Sequence, residues 1–85
     1  MYIAKVYITL KPTVNDPQGL TIRGALHTLG FHAVTEVRAG KYMEIKINES
    51  NLEKAKSETQ EMCKKLLANP VIENFRFELD KIEPT

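Results

Sequence analysis

Residues 2–11 read YIAKVYITLK, an alternation of side chains that has the period of a β-strand. One face of this strand is wholly apolar, and we expect it to meet the core; it consists of Ala4, Val6, Ile8 and Leu10. The other face mixes Tyr and Ile with Lys and Thr, which is typical of a sheet surface that is only partly covered. Pro12 ends the strand, because proline brings no backbone N–H group to a ladder.

A short helix is predicted next, over residues 17–29. Asp16 stands directly before Pro17. An Asp side chain accepts hydrogen bonds from the first free N–H groups of a helix, and proline is tolerated at the first helical position. Gly30 follows the helix and suits a left-handed C-terminal cap. The apolar stripe of this helix is Ile22, Ala25, Leu26 and Leu29.

The middle of the chain contains a predicted hairpin. Residues 34–37 and 43–47 read as two strands that are joined around a turn at Ala39-Gly40. In the second of these strands apolar and charged side chains alternate, so we expect one face to point to the core and the other to solvent.

The last part of the chain contains a second helix and a final strand. Ser50 and Glu53 fit a capping box that opens the helix. Asn69-Pro70 ends it, because the residue before a proline is pushed out of the helical region. Residues 71–79 then alternate aromatic or aliphatic with polar side chains, and this pattern predicts the last strand.

The predicted order is β-α-β-β-α-β, which indicates an α+β protein. With right-handed crossovers it gives a ferredoxin-like fold, a four-stranded antiparallel sheet with two helices on one face. We expect a single domain over residues 1–79 and a loose, charged tail over residues 80–85. The free face of the sheet carries Ile3 and Tyr7 among its charges, and a second copy of the chain is expected to cover it.

Composition narrows the classes of function. A chain of 85 residues buries a small core, and with Cys63 as its one cysteine it has no internal disulfide, so support from a partner subunit is expected. A net charge of +1 argues against nucleic acid as a partner. No apolar run approaches the ~20 residues of a membrane span, and the first ten residues lack the apolar core of a signal peptide. We therefore expect a cytoplasmic protein that binds neither nucleic acid nor membrane.

Few side chains offer chemistry of their own. His27 and His32 lie five positions apart across the predicted helix end, so they lack the spacing of a helical zinc pair. Cys63 has no base beside it in the sequence, and a small buried side chain is the better interpretation. No glycine pattern matches a nucleotide-binding loop. The sequence thus predicts no catalytic residue, no metal, no cofactor and no autonomous active site.

Three stretches contain turn and cap chemistry beyond what the fold needs: DPQG at residues 16–19, VRAGK at residues 37–41 and KLLANPVIE at residues 65–73. Their plain interpretation is local architecture, and capping alone explains Asp16 and Pro17. The alternative is a docking surface, because loops on rigid scaffolds carry function. For Arg38 and Lys41 the two interpretations weigh equally. The candidates for a partner interface are Asp16, Pro17, Arg38, Gly40, Lys41, Asn69 and Pro70.

In this order and at this spacing, the three stretches resemble the PurS family, together with Ala25-Leu26 and LGF at residues 29–31. The resemblance runs over residues 5–79. PurS is the small subunit of phosphoribosylformylglycinamidine synthase, a glutamine-hydrolysing, ATP-dependent ligase complex of purine biosynthesis. One departure is Asn15, where the family commonly has an apolar residue, and this puts the contact of that loop with a partner in doubt.

The resemblance implies a ferredoxin-like fold and self-association as a dimer or tetramer. It also implies a non-catalytic assembly subunit that bridges the glutaminase and synthetase subunits and assists the transfer of ammonia between them. The competing interpretation is a small-molecule-binding regulatory dimer of the same fold, because fold alone does not settle function. The absence of a glycine-rich ligand loop from the sequence weighs against that alternative.

Overall fold

Three antiparallel strands form the sheet in residues 1–83, which are the residues that the computed structural model describes. The strands are β1 (Tyr2–Leu10), β2 (Gly40–Ile47) and β3 (Glu73–Lys81), arranged in the order β2-β1-β3. The helices are α1 (Pro17–Thr28) and α2 (Leu52–Met62), and a π-helical segment, Cys63–Leu67, continues α2. The α+β class is confirmed, but the sheet has three strands rather than the predicted four.

The strand predicted over residues 34–37 is wrong, and so is the hairpin turn at Ala39-Gly40. In the described chain this stretch joins no sheet, and β2 begins at Gly40 itself. The physical reason is that its backbone is engaged at the base of α1. The N–H of Ala39 donates to Asp16, and the carbonyl of Val37 lies against Gly19. A segment that is held there is not available to the edge of β2.

The end of the last strand also differs from the prediction. β3 continues to Lys81, which lies opposite Tyr2 in the ladder with β1. The carboxylate of Asp80 forms an ion pair with Lys5 at 2.9 Å, and the N–H of Ile82 donates to the carbonyl of Met1. Residues 80–82 are therefore tied to the sheet rather than forming the start of a loose tail. The last two positions of that predicted tail, 84 and 85, lie outside the described residues.

The core lies between β1 and α2. The buried face of β1 is the predicted one, with Ala4, Val6 and Ile8 at most 1% exposed. From the helical side, Ala55, Thr59 and Cys63 are fully buried against it. The hydroxyl of Thr59 donates to the carbonyl of Ala55, so burial leaves it satisfied. Apolar residues at the flanks of the sheet are only partly buried: Met43, Ile45, Phe75, Phe77 and Leu79.

α1 projects from this core, so the expected pair of helices on one face of the sheet is wrong. Among the described residues, α1 makes only isolated contacts with other elements, and Leu29 and Phe31 beyond its end are 72% and 58% exposed. The Cα radius of gyration is 16.6 Å, where a compact chain of this length has about 12 Å. The chain therefore leaves both the apolar stripe of α1 and one flank of the sheet uncovered.

The predicted caps of α1 are confirmed. A side-chain oxygen of Asp16 accepts the N–H of Gly19 at 2.9 Å. At the other end Gly30 has a φ of 99°, the left-handed region that favours glycine. The N–H of Phe31 donates to the carbonyl of Leu26, and this completes a Schellman motif. The length and position of α1 thus follow from local residues, whereas its projection does not.

The start of α2 differs from the predicted capping box. Asn51, not Ser50, is the N-cap, and its side chain accepts the N–H of Lys54 at 3.0 Å. The carboxylate of Glu49 accepts the N–H groups of Ser50 and Asn51. These hydrogen bonds lower the pKa of Glu49, and the one from Asn51 has the largest effect. With Asn51 as the N-cap, the helix starts one residue later than predicted.

The opposite face of the sheet is occupied by side chains that contact one another. The guanidinium of Arg76 lies 3.8 Å from the ring centroid of Tyr7, a cation–π contact. The rings of Tyr7 and Tyr42 lie 5.0 Å apart, and Lys5 forms its ion pair with Asp80 on the same surface. The side chains of this face therefore contact one another within a single chain, and the face depends less on a second copy than we expected from the sequence.

Candidate partner interface

The three motif stretches meet at one end of the sheet, although they are far apart in the sequence. β1 ends there, and β2 and β3 begin there: Thr9 lies opposite Gly40, and Leu10 lies opposite Glu73. We call this region the motif end. It comprises the seven predicted interface residues Asp16, Pro17, Arg38, Gly40, Lys41, Asn69 and Pro70, together with Glu73.

Asp16 is the most constrained residue of the motif end. It is 4% exposed, and besides the N–H of Gly19 it accepts the N–H of Ala39 at 2.7 Å. These two backbone hydrogen bonds lower the pKa of Asp16, and the one from Gly19 has the larger effect. The nearby positive charge of Arg38 lowers the pKa further. Both carboxylate oxygens are therefore engaged, and Asp16 holds structure rather than exchanging protons with a substrate.

Two glycines permit the close backbone approaches of the motif end. A Cβ atom at Gly19 would collide with the carbonyl oxygen of Val37, so no other residue fits without movement. A Cβ atom at Gly40 would lie 2.6 Å from the carbonyl oxygen of Ile8 on the neighbouring strand. Both glycines are thus explained by packing inside one copy of the chain.

Arg38 donates hydrogen bonds to the loop that follows β1. Its Nη2 atom donates to the carbonyl of Lys11 at 3.0 Å and to that of Val14 at 2.9 Å. The side chain is 30% exposed, and its further contact with Glu36 is long, at 3.9 Å. We call Asp16, Gly19 and Arg38 the clamp, because together they join the loop after β1, the start of α1 and the segment that enters β2.

Lys41 and Asn69 meet through Glu73. The ammonium of Lys41 lies 3.7 Å from one oxygen of Glu73, while the other oxygen accepts the N–H of Asn69 at 2.7 Å. Lys41 remains 63% exposed, so its ion pair contributes little to stability. Glu73 was not among the predicted site residues. Its position as the last residue of the third motif stretch was the signal that pointed to it.

The motif end thus has an inner layer and an outer surface. Pro17, Lys41, Asn69 and Pro70 are exposed, and Asp16 is buried. Arg38 is also exposed, but its guanidinium donates to backbone carbonyls of the same chain. A cleft of about 210 Å³ lies between Asp16, Lys41 and Glu73, and Ile8 and Leu10 form its apolar wall. An exposed surface of prolines, an amide and one cation above a rigid base is suited to contact with another protein.

In residues 1–83 no three His, Cys, Asp or Glu side chains lie together in a way that would hold a metal ion. His27 instead contacts the carbonyl of Val34 through its Nε2 atom at 2.7 Å. No helix in the same range is long and apolar enough to cross a membrane.

Comparison with known proteins connects this geometry to one family. The family profile described as PurS, phosphoribosylformylglycinamidine (FGAM) synthase, matches residues 3–81. The chain is 46% identical over 82 residues to the phosphoribosylformylglycinamidine synthase subunit PurS of Bacillus subtilis strain 168, and the match covers 96% of each chain.

Solved structures agree with the shape of the chain. The crystal structure of Methanocaldococcus jannaschii PurS, one of the subunits of formylglycinamide ribonucleotide amidotransferase in the purine biosynthetic pathway, superposes with a TM-score of 0.87 at 52% identity, over 98% of this chain and 100% of that one. A chain in the structure of PurLQS from Thermotoga maritima superposes with a TM-score of 0.82 at 28% identity, over 93% and 98%. Agreement over nearly the whole length includes the projecting α1.

Proposed function

This chain belongs to the PurS family, and we propose that it bridges the glutaminase and synthetase subunits of phosphoribosylformylglycinamidine synthase. It is a small subunit of this glutamine-dependent, ATP-using ligase of purine biosynthesis. The observation that carries the proposal is the match, over nearly the full length, to a chain in the structure of PurLQS from Thermotoga maritima. The name PurLQS denotes a complex of several subunits.

The geometry of the motif end supports a non-catalytic role in assembly. Both oxygens of Asp16 accept backbone N–H groups, and Nη2 of Arg38 donates to two backbone carbonyls, so both side chains serve to hold the loops of the motif end. What the motif end offers to solvent is Pro17, Lys41 and the Asn69-Pro70 turn. We assign the contact with a larger subunit to this outer surface, and its shape to the clamp beneath it.

Self-association is the second part of the proposal. α1 is uncovered in one copy, and an amphipathic helix of 12 residues without packing is marginal in water. A dimer or tetramer would cover it. The near-neutral charge of +1 agrees with protein partners rather than nucleic acid, and a cytoplasmic location follows from the pathway.

Assistance in ammonia transfer is the last part. The chain would act by holding the two larger subunits in register, so that ammonia released at one reaches the other without loss to solvent. This role needs a rigid scaffold with exposed loops at a fixed end, and the clamp and the three-stranded sheet supply such a scaffold.

Reconstitution tests the proposal. The glutaminase and synthetase subunits are assayed for glutamine-dependent synthesis of phosphoribosylformylglycinamidine with and without this chain, and again with ammonium chloride in place of glutamine. We expect omission of the chain to abolish co-elution of the subunits and to lower the glutamine-dependent rate at least tenfold. Synthesis from ammonium should persist. An equal glutamine-dependent rate without the chain would remove the bridging role.

A matched pair of variants tests the surface itself. Lys41→Ala changes the outer surface of the motif end, and Lys46→Ala changes an exposed lysine on the same strand near its other end. We expect only Lys41→Ala to weaken co-elution, while both variants keep the unfolding midpoint of the parent chain within the range of surface substitutions. Equal co-elution of the two variants would place the contact elsewhere.

A further inference from the structure

We propose that a cleft at the edge of the motif end binds a phosphate group between the ammonium groups of Lys11 and Lys64. We call it the lysine cleft. It has a volume of about 310 Å³ and lies where the π-helical segment meets the start of β3. Its lining includes Lys11, Lys64, Ala68, Glu73, Asn74 and Phe75. Phosphate binding here is a property of the single chain and is independent of the bridging role and of self-association.

The two lysines come from distant parts of the sequence, and backbone hydrogen bonds fix where each side chain starts. Lys11 follows β1, and its N–H donates to the carbonyl of Ile72 at 2.8 Å. Lys64 lies in the π-helical segment, where the N–H of Ala68 donates to the carbonyl of Cys63 at 3.0 Å, five positions back. Such π-helical turns are rare, and they are frequent at functional sites. The fold thus brings two cations to one cleft on anchored backbone.

Both cations of the lysine cleft are free of carboxylates. Within residues 1–83 neither Lys11 nor Lys64 forms an ion pair, whereas Lys65, the next residue along the chain, pairs with Glu61 at 3.2 Å. Lys11 is partly buried, so its charge is screened less by water and salt than that of a fully exposed lysine. Two like charges that line one cleft repel each other, and an anion placed between them turns this repulsion into attraction.

The one carboxylate in the lining does not neutralise the cleft. Glu73 is 12% exposed, and both of its oxygens are engaged. Oε1 accepts the N–H of Asn69 at 2.7 Å, and Oε2 lies 3.7 Å from the ammonium of Lys41. Lys41 therefore offsets the charge of Glu73, and Lys11 and Lys64 leave the region positively charged.

Charge and size favour a phosphate group over a carboxylate. A phosphate monoester carries about −1.5 to −2 charges near pH 7, which matches two ammonium groups, whereas a carboxylate carries one. Lysine binds phosphate as a point charge, so the pair needs no fixed fork geometry. The exposed amide of Asn74 adds a donor to the same lining.

The volume of the cleft limits the ligand that carries the phosphate. At about 310 Å³ it lies at the lower end of the range of ligand sites, ~300–1,000 Å³. It has room for inorganic phosphate or for a small phosphate monoester. Ala68 and Phe75 add an apolar wall, against which the carbon skeleton of a sugar phosphate would pack. Free phosphate and a sugar phosphate are thus the two sources of the same recognised group.

Titration of the full chain tests the site. Amide chemical shifts of the ¹⁵N-labelled protein are followed by NMR in a phosphate-free buffer at constant ionic strength. The probes are inorganic phosphate, ribose 5-phosphate and, as a carboxylate, L-glutamate. The variants are Lys11→Gln, Lys64→Gln and their combination, with Lys64→Arg to keep the charge. The matched control is Lys46→Gln, because Lys46 is exposed on β2 and forms no ion pair within residues 1–83.

We expect phosphate to give saturable shifts that are confined to the π-helical segment, the end of β1 and the start of β3. Each single Gln variant should raise the dissociation constant at least about fivefold, and the double variant should abolish saturation. Lys46→Gln and Lys64→Arg should bind like the parent chain. L-Glutamate should bind at least about fivefold more weakly than phosphate, because it presents the cleft with single charges. Tighter binding of ribose 5-phosphate than of phosphate would assign the site to a sugar phosphate, and equal binding to free phosphate.

Other outcomes overturn the site. Shifts that do not saturate at tens of millimolar phosphate, or that Lys46→Gln reduces as much as Lys64→Gln does, indicate general attraction of anions to surface lysines. Binding of L-glutamate as tight as that of phosphate overturns the choice of phosphate. The amide spectrum of each variant also reports its fold. If Lys11→Gln unfolds, Lys64→Gln decides alone, because Lys64 is exposed and its substitution leaves the core untouched.

Discussion

Asp16 and Ala39 are 23 positions apart in the chain, and a carboxylate oxygen of Asp16 accepts the backbone N–H of Ala39 at 2.7 Å. The other oxygen of the same carboxylate accepts the N–H of Gly19, three positions after it. One side chain thus caps α1 and ties the entry of β2 to the base of that helix. Its position explains why α1 projects and why residues 34–37 stay out of the sheet.

Acid should weaken the structure through Asp16. Its folded pKa lies below the ordinary value of 3.8, so its stabilisation is fully present above about pH 4 and is lost as the pH falls through the lower folded value. Asp16→Asn removes the charge and turns an amide donor towards one of the two N–H groups. We expect a less stable protein at pH 7 whose stability falls less steeply below pH 4. Urea unfolding at pH 7 and pH 3 measures both effects, and parallel curves for the parent and the variant would contradict this role.

Gly19 and Gly24 should respond in opposite directions to the same substitution. Gly19→Ala drives a Cβ atom into the carbonyl oxygen of Val37, and we expect a loss of about 1–3 kcal/mol in the free energy of unfolding. Gly24→Ala meets no atom within 4 Å and adds a better helix former, so we expect a gain of about 0.5–1 kcal/mol. Chemical denaturation of the two variants gives the comparison; a neutral Gly19→Ala would show that the contact with Val37 relaxes freely.

Arg38 should matter to stability more than Lys41 does. Arg38→Ala removes two hydrogen bonds to the loop after β1 and should cost about 1–2 kcal/mol, with the partial exposure of the guanidinium taken into account. Lys41→Ala removes one long, exposed ion pair and should change the free energy of unfolding by less than about 0.5 kcal/mol. Thermal and urea unfolding rank the two variants. The reverse order would place Arg38 outside the structural clamp.

The thiol of Cys63 should be protected in the folded chain. Cys63 is fully buried, and this burial raises the pKa of the thiol, so little thiolate is present at neutral pH. We expect its reaction with Ellman's reagent at pH 7.5 to be at least about tenfold slower in buffer than in a denaturing concentration of urea. Cys63→Ser, which puts a hydroxyl in the same apolar site, should destabilise the fold. Equal rates with and without urea would show that the segment after α2 opens readily.

Local structure could be predicted from the sequence because its causes lie within a few residues of one another. The alternation of β1 determined which face is buried, and Ala4, Val6 and Ile8 are in the core as expected. Asp16, Pro17 and Gly30 determined both ends of α1 to within one residue. The family was also identifiable from the sequence, because each motif stretch is a continuous segment and the stretches follow one another in the order that is typical of the family.

Placement in space could not be predicted in the same way. The strand expected over residues 34–37 rested on four residues and on a presumed hairpin turn at Ala39-Gly40, and the hydrogen bond between Asp16 and Ala39 outweighs so weak a local preference. Arg38 looked like a surface cation by its neighbours in sequence, and only the fold shows the carbonyls of Lys11 and Val14 within its reach.

The sequence by itself therefore determined both helices, the three strands of the sheet, the caps of α1, the buried face of the central strand and the family. The tertiary structure alone decided that α1 projects, that the sheet has three strands, and that three distant motif stretches share one end of it. The physical reason is the separation along the chain of the residues that interact. Caps and periodicity act between neighbours along the backbone. The clamp depends on contacts between residues eighteen or more positions apart, and those exist only once the chain has folded.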